Sequence, residues 1–142
     1  MKLKNVKWLF VVLAMLLPLM LTSCMQKRME KYYTKTENYI VVKGTVSHIK
    51  YSEDGTELYL GFEEMEPKCD DNSFKIVGKN LDIVKENGID EKIHMGDRVS
   101  FMTAPEYFGD GYVMPIVGIA VDGETLLEFS DGYGHFIEWL TK

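Results

Sequence analysis

A short apolar stretch near the N-terminus limits how much of this chain is available to fold. Residues Trp8 to Leu21 are fourteen apolar residues that follow three lysines, whereas a helix that spans the hydrocarbon core of a membrane needs about 20. A basic start, a short apolar segment and small polar residues before a cleavage point are typical of a secretory signal peptide. We therefore predict that residues 1–23 are a signal peptide and that the remainder folds as one domain.

The end of that stretch, Leu21-Thr22-Ser23-Cys24, resembles the lipobox of bacterial lipoproteins. In that family the cysteine is acylated on sulfur and becomes the first residue of the mature protein. The resemblance implies that Cys24 is the lipidation site and that the chain is lipid-anchored to the cell membrane, on its extracytoplasmic side. Two or more acyl chains give stable attachment, because each buried methylene contributes about 0.8 kcal/mol. The alternatives are a short transmembrane anchor or a plain signal peptide with an incidental cysteine.

Polar residues separate the predicted anchor from the predicted domain. Residues 24–38 are mostly polar and charged, which predicts a tether, and residues 39–142 contain the apolar patterns of a folded unit. The stretch from Lys27 to Lys31 is basic. It either touches anionic headgroups or is a solvated linker, and we favour the linker.

Charge and cysteine content restrict the partners and the stabilising bonds of the domain. Three of the 16 basic residues lie in the predicted signal peptide, whereas all 22 acidic residues follow it. Such an acidic domain argues against nucleic acid as a partner, because phosphate backbones are bound by clustered Lys and Arg. With Cys24 acylated, Cys69 has no intrachain partner. The acidic residues around it predict a raised thiol pKa and an inert side chain.

Alternating apolar residues predict a mainly β domain. The predicted strands are 40–51, 57–62, 73–77, 98–102, 112–121 and 125–129. Gly44 predicts a bulge or a sharply coiled strand, and Pro115 predicts an edge or a bulge. The predicted turns are Asp54-Gly55, Gly96-Asp97 and Asp122-Gly123. We also predict a short helix that Asn80 caps and Asn87-Gly88 ends, followed by one more turn from Ile89 to Ile93. Residues 136–140 predict a C-terminal helix.

The order of these elements resembles the OB-fold. The residues that carry the likeness are Val42-Lys43-Gly44-Thr45-Val46, Leu58-Tyr59-Leu60, the helix after Val77, and Gly96-Asp97-Arg98-Val99. The resemblance covers residues 40–122. It implies an OB-fold-like five-stranded barrel with a short helix between strands 3 and 4, to which a C-terminal helix is added. Another small barrel or a β-sandwich is the alternative architecture.

The resemblance also implies where a ligand binds. OB-folds bind ligands over strands 2 and 3 and at the loops that join strands 1 to 2 and 4 to 5. Here the later loop, residues 104–112, carries three aromatic residues, and Tyr107, Phe108 and Tyr112 are the predicted ligand-binding residues. Aromatic rings stack on sugars or hold peptides. The alternative is that the three rings cover the end of the barrel. Acidic neighbours favour a neutral or cationic ligand.

No catalytic motif is present in the sequence. It lacks a nucleophile elbow, a phosphate-binding glycine loop and a metalloprotease helix, so we predict no catalytic residues and no cofactor. His48, His94 and His135 are scattered, which argues against zinc. The acidic stretch 63–72 offers oxygen ligands for calcium but lacks the spacing of a calcium loop. We favour a solvated connection there and predict no metal ligands.

These features predict a membrane-anchored extracytoplasmic lipoprotein. Its domain is predicted to be a non-catalytic binding or scaffold module for an envelope protein, a peptide or a glycan. One alternative is a small metal-dependent enzyme or metal-binding protein of the cell envelope, centred on the acidic stretch. Another is a structural envelope component that acts by self-association.

Overall fold

A computed structural model describes residues 24–109 and 112–142, so the predicted signal peptide lies outside the described residues. The strands in these ranges are β1 (Ile40–Tyr51), β2 (Glu57–Glu66), β3 (Ser73–Val77), β4 (Arg98–Thr103), β5 (Met114–Pro115), β6 (Gly118–Val121) and β7 (Glu124–Leu127). The helices are α1 (residues 24–33), α2 (Lys79–Glu86), α3 (Ile89–Lys92) and α4 (Phe129–Leu140). A 3-10 turn, Thr36–Asn38, precedes β1.

The described strands form one mixed sheet in the order β5-β3-β2-β1-β4-β6-β7. All neighbours are antiparallel except β3 and β5. The mainly β prediction is confirmed, and so are the helix between the third and fourth strands and the C-terminal helix. The closed five-stranded barrel is wrong, because the sheet is open and has seven strands. The predicted strand 112–121 is divided into β5 and β6. The predicted strand 125–129 is β7, which ends at Leu127 because α4 begins at Phe129.

The break between β5 and β6 allows one short segment of the chain to pair with two strands that are far apart in the sheet. β5 pairs in parallel with β3, and β6 pairs antiparallel with β4. The two residues between them donate in different directions: Ile116 N–H to the Lys75 carbonyl at 2.8 Å, and Val117 N–H to the Met102 carbonyl at 2.9 Å. The sheet is therefore strongly curled. Pro115 lies on an edge strand, as predicted.

β1 is the long central strand around which the sheet curls. Its bounds match the prediction, and its pairing with β2 shifts register between Lys43 and Thr45, which confirms the predicted bulge at Gly44. A Cβ on Gly44 would lie 3.0 Å from the Cβ of Phe62. A side chain would therefore crowd the bend, and glycine lets the two strands approach.

The main core lies on the inner face of the curled sheet. Phe62, Phe74 and Phe101 are buried there; the rings of Phe62 and Phe101 stack at 4.3 Å, and the ring of Phe74 meets Phe101 edge-on at 4.8 Å. Phe74 and Ile76, which lie two residues apart on β3, are both fully buried on this face. Burying each such side chain stabilises the fold by about 1.5–3 kcal/mol.

Asn80 joins two helices and does not cap one. Gly78 stands at the N-cap of α2, and Asn80 lies inside the helix with 1% of its surface exposed. Its Nδ2 donates to the Gly132 carbonyl of α4 at 2.8 Å, and its Oδ1 lies 3.2 Å from His135 Nδ1. The predicted cap is therefore wrong, because these buried groups take up the amide. The predicted left-handed end is confirmed at Gly88, where φ is 84°.

Residues 24–38, the predicted polar tether, are largely helical and pack onto the domain. Tyr33 is only 3% exposed, Gln26 Nε2 donates to the Leu140 carbonyl at 2.9 Å, and the Tyr133 hydroxyl donates to the Thr34 carbonyl at 2.6 Å. The other apolar side chains of this segment that contact the domain are Met25, Met29 and Tyr32. The segment is thus a structural part of the folded unit.

A second apolar cluster joins α1, α4 and the segment after β4. Tyr33, Tyr39, Phe108 and Phe136 belong to it. The Tyr39 hydroxyl donates to the Tyr33 carbonyl at 2.8 Å, and burial raises the pKa of Tyr39 well above its usual value. The ring of Tyr33 meets Phe136 edge-on at 5.2 Å. This cluster holds α1 against α4.

Candidate functional site

The three aromatic residues predicted to bind ligand occupy different environments. Phe108 is 9% exposed, and its ring lies 5.6 Å from the rings of both Tyr32 and Tyr33. It packs in the second cluster, which agrees with the alternative that this ring covers an end of the sheet. Tyr107 and Tyr112 are 44% and 38% exposed. Of the three, Tyr112 lines the cleft described next.

A cleft of about 430 Å³ opens between α1, α4, β3 and the residues that precede β5. We call it the aromatic cleft, because its lining includes Tyr33, Tyr112, Phe136 and Trp139. The charged residues that also line it are Glu30, Lys75 and Lys142. Its volume is in the range of small-molecule pockets, about 300–1,000 Å³.

Lys75 of β3 places a largely buried ammonium group beside the aromatic cleft. Its Nζ lies 4.8 Å from the centre of the Trp139 ring and 3.9 Å from Glu57 Oε1, and 17% of the side chain is exposed. Burial lowers the pKa of Lys75, whereas the Glu57 carboxylate acts in the opposite direction. A cation over an indole ring is favourable when it is partly desolvated. The geometry therefore offers a positive charge next to a flat apolar surface.

A polar row on β2 and β3 fixes the position of this lysine. The Tyr59 hydroxyl donates to the Glu57 carboxylate, and this bond, followed by burial, raises the pKa of Tyr59 to about 12. Glu57 in turn pairs with Lys75. Because the Glu57 carboxylate is held by the Tyr59 hydroxyl, we expect its partner Lys75 to remain in place when the cleft is empty. The two lysines of the cleft, Lys75 and Lys142, thus offer ammonium groups beside its aromatic rings, and that of Lys75 is paired with Glu57.

The opposite side of α1 carries a second, shallower cavity of about 400 Å³. Arg28, Lys31 and Lys35 line it together with Asn38, and Glu106 lies on the same rim. We call the three cations the basic face. Arg28 and Lys31 lie on the side of α1 away from the positions that line the aromatic cleft, and Lys35 follows the end of the helix in extended backbone.

In the part of the chain that the structure describes, the carboxylates of the acidic stretch 63–72 are not gathered into one group. β2 continues to Glu66, so the first four of these residues belong to a strand. Across residues 24–109 and 112–142, no three His, Cys, Asp or Glu residues are grouped to hold a metal ion. Arg98 donates to the Glu64 carbonyl at 2.6 Å and lies 3.8 Å from the Glu66 carboxylate. This arginine is thus engaged in holding the end of β2.

Cys69 has the environment that the sequence predicts. It is a free thiol, and burial, followed by the charge of Asp70, raises its pKa. The thiolate is the reactive form, and a raised pKa lowers its fraction at neutral pH.

Sequence reasoning missed Lys75 and Trp139 as cleft residues. Lys75 stands between the inward-facing Phe74 and Ile76, so alternation alone places it on the other face of β3. Trp139 was expected only as part of the C-terminal helix. Their contact depends on how α4 packs on the folded sheet, which no local sequence pattern reports.

Comparisons with known proteins found no relative of this chain. No family model matches it, and no match was found among curated proteins or solved structures. Within the described ranges, none of the helices has the length and apolar character needed to cross a membrane.

Proposed function

We propose that this chain is a membrane-anchored extracytoplasmic lipoprotein whose non-catalytic domain binds a peptide, a glycan or a segment of an envelope protein in the aromatic cleft. The observation that carries the binding proposal is the cleft itself, where Tyr112 and Trp139 lie near the ammonium group of Lys75. The anchor proposal is supported by Leu21-Thr22-Ser23-Cys24 and by the exposure of the free Cys24 thiol at the start of the described part of α1.

The strand connectivity supports a relationship to the OB-fold, although the sheet is not a closed five-stranded barrel. β1 pairs with β2 and β4, β2 pairs with β3, and α2 and α3 lie between β3 and β4. We infer an OB-fold-like sheet whose fifth strand is divided into β5 and β6. OB-folds bind ligands at the third strand and at the loop between strands 4 and 5. Lys75 and Tyr112 come from these two places.

The side chains of the cleft indicate the chemistry of its ligand. The rings of Tyr112 and Trp139 offer flat apolar surface, which suits a sugar ring or an apolar peptide side chain. The Lys75 ammonium, 3.9 Å from Glu57, has three N–H donors, and an acidic group on the ligand could accept one of them in a partly desolvated setting. The ligand class is therefore a peptide or glycan that carries a carboxylate.

The anchor is tested by replacing its cysteine. Cys24→Ser is expected to move the protein from the membrane fraction to the soluble fraction, because the acyl chains are lost. Cys69→Ser is the matched control and is expected to stay with the membranes. Mass spectrometry of the native protein should find Cys24 acylated at the N-terminus. An unmodified residue 24, or a polypeptide that still begins at Met1, would contradict the anchor.

The aromatic cleft is tested with small probes and the fluorescence of Trp139, which is the sole tryptophan once residues 1–23 are removed. The probes are short peptides with a free or an amidated C-terminus, and acidic or neutral disaccharides. We expect Tyr112→Ala to weaken binding about tenfold or more, because one stacking surface is lost. Lys75→Gln should abolish the preference for the acidic member of each pair.

The control for this experiment is Tyr107→Ala, in the same loop but outside the lining of the cleft. It is expected to leave probe binding unchanged. The binding proposal fails if no probe alters the Trp139 signal at millimolar concentration, or if Tyr107→Ala weakens binding more than Tyr112→Ala does.

A further inference from the structure

Two members of the basic face, Arg28 and Lys31, are fixed in orientation by the packing of the opposite side of α1. Tyr33 is buried against α4, and Gln26 and Thr34 are bonded to Leu140 and Tyr133. The helix therefore cannot rotate about its axis without breaking these contacts. Arg28, Lys31 and Lys35 all remain exposed on the outer side.

The cations of the basic face have no carboxylate partner among the described residues. The lysine and arginine ion pairs in those ranges involve Lys75, Lys79, Lys92 and Arg98. Glu106 is the acidic residue on the rim of the shallow cavity. In a chain with a formal net charge of −6, this face is locally positive and ready for an anionic partner.

The basic face also lies close to the proposed anchor. Arg28 follows Cys24 by four residues, which is about 6 Å along a helix, within the Debye length of about 8 Å at physiological salt. Lys31 lies farther along the same side of α1, and Lys35 lies just beyond the end of the helix. If α1 were perpendicular to the membrane, salt would screen Lys31 and Lys35 from the charges of the membrane surface. All three reach the headgroups together when α1 lies along the membrane.

We propose that the basic face binds anionic lipid headgroups of the membrane that holds Cys24, so that α1 lies along the membrane and the domain has one orientation. This inference rests on the proposed lipidation of Cys24. Basic residues next to a lipid anchor strengthen membrane attachment through the phosphates of acidic lipids. In this orientation Glu106 and Phe108 lie near the membrane, and the aromatic cleft, on the other side of α1, faces away from it.

The test uses the full lipidated protein reconstituted in vesicles of phosphatidylcholine, with or without phosphatidylglycerol, and measures hydrogen exchange of the backbone. We expect exchange in residues 28–35 and 104–109 to slow about tenfold or more when phosphatidylglycerol is present. The effect should disappear at about 1 M salt, where the Debye length is about 3 Å. It should also disappear in the triple variant Arg28→Gln, Lys31→Gln, Lys35→Gln.

A matched triple variant, Lys79→Gln, Lys85→Gln, Lys92→Gln, changes the net charge equally on α2 and α3 and should keep the protection. If the protein binds both kinds of vesicle and its backbone exchanges at the same rate in each, the proposed binding of the basic face to lipid is refuted, whereas the anchor is not. Protection by inorganic phosphate with phosphatidylcholine vesicles would identify a site for free anions and overturn the membrane assignment. Failure of the protein to float with either vesicle would refute the anchor and the orientation that depends on it.

Discussion

Replacing Gly132 by alanine is expected to lower the free energy of unfolding by about 2–3 kcal/mol, although alanine is the better helix former. Gly132 lies in α4 and is buried. A Cβ at this position would lie 1.8 Å from the carbonyl oxygen of Val117, and the obstructing atom belongs to the backbone. Because a favourable contact needs about 3.5 Å, the helix or the strand has to move.

The location of Gly132 explains why this shift is costly. Val117 is one of the two residues between β5 and β6, and its N–H donates to β4. The carbonyl of Gly132 accepts from the buried Asn80 amide of α2. A displaced α4 would therefore strain the divided strand and lengthen a buried hydrogen bond, whose loss costs about 1–3 kcal/mol.

Gly134→Ala is the matched control, since it makes the same change two residues later in the same helix. Gly134 is exposed, and its added Cβ would meet no atom within 4 Å. This variant is expected to gain about 0.5–1 kcal/mol from helix propensity alone. Urea unfolding followed by circular dichroism measures both variants. Equal effects at the two positions would mean that α4 does not approach Val117 this closely.

The regular strands were predictable because their signals are local. β1 and β3 begin and end where alternation and β-branched residues place them, and the turn at Asp122-Gly123 has the positive φ angles that suit a tight hairpin. These elements depend on residues close in sequence. Nothing distant has to be known to find them.

The elements that sequence reasoning misplaced depend on tertiary contacts. α4 begins at Phe129, seven residues before its predicted apolar pattern, and the intervening segment contains Gly132 and Gly134. Glycine disfavours helices by about 1 kcal/mol, so propensity argues against a helix there. The packing of Gly132 on Val117 outweighs this propensity, and the segment is helical. The break between β5 and β6 has the same origin, since Ile116 and Val117 bond to different strands.

The candidate site was predictable in one residue and not in the others. Tyr112 was expected from its loop, because aromatic residues in loops are common in binding sites. Lys75 and Trp139 come from β3 and α4, which are distant in sequence. The role of α1 was missed for a related reason. Its apolar residues are few, and the cluster that receives them is built from α4 and the segment after β4.

Replacing Tyr33 by alanine is expected to cost about 3–5 kcal/mol of stability, the range for truncating a large buried aromatic side chain. Its ring is 3% exposed and contacts Tyr32 at 5.2 Å, Phe108 at 5.6 Å and Phe136 at 5.2 Å. The loss would leave a cavity where α1, α4 and residues 104–109 meet. Urea unfolding monitored by Trp139 fluorescence, which reports on α4 directly, measures the change.

Tyr112→Ala separates this effect from the general loss of an aromatic ring. Tyr112 is 38% exposed and belongs to neither apolar cluster, so its replacement is expected to change stability by less than about 0.5–1 kcal/mol. If residues 24–38 were only a spacer, Tyr33→Ala would change the free energy of unfolding as little as Tyr112→Ala does. A large cost at Tyr33 alone would mean that the domain is joined to Cys24 through a packed helix. The anchor and the aromatic cleft would then keep a fixed relation, since α1 contributes to both.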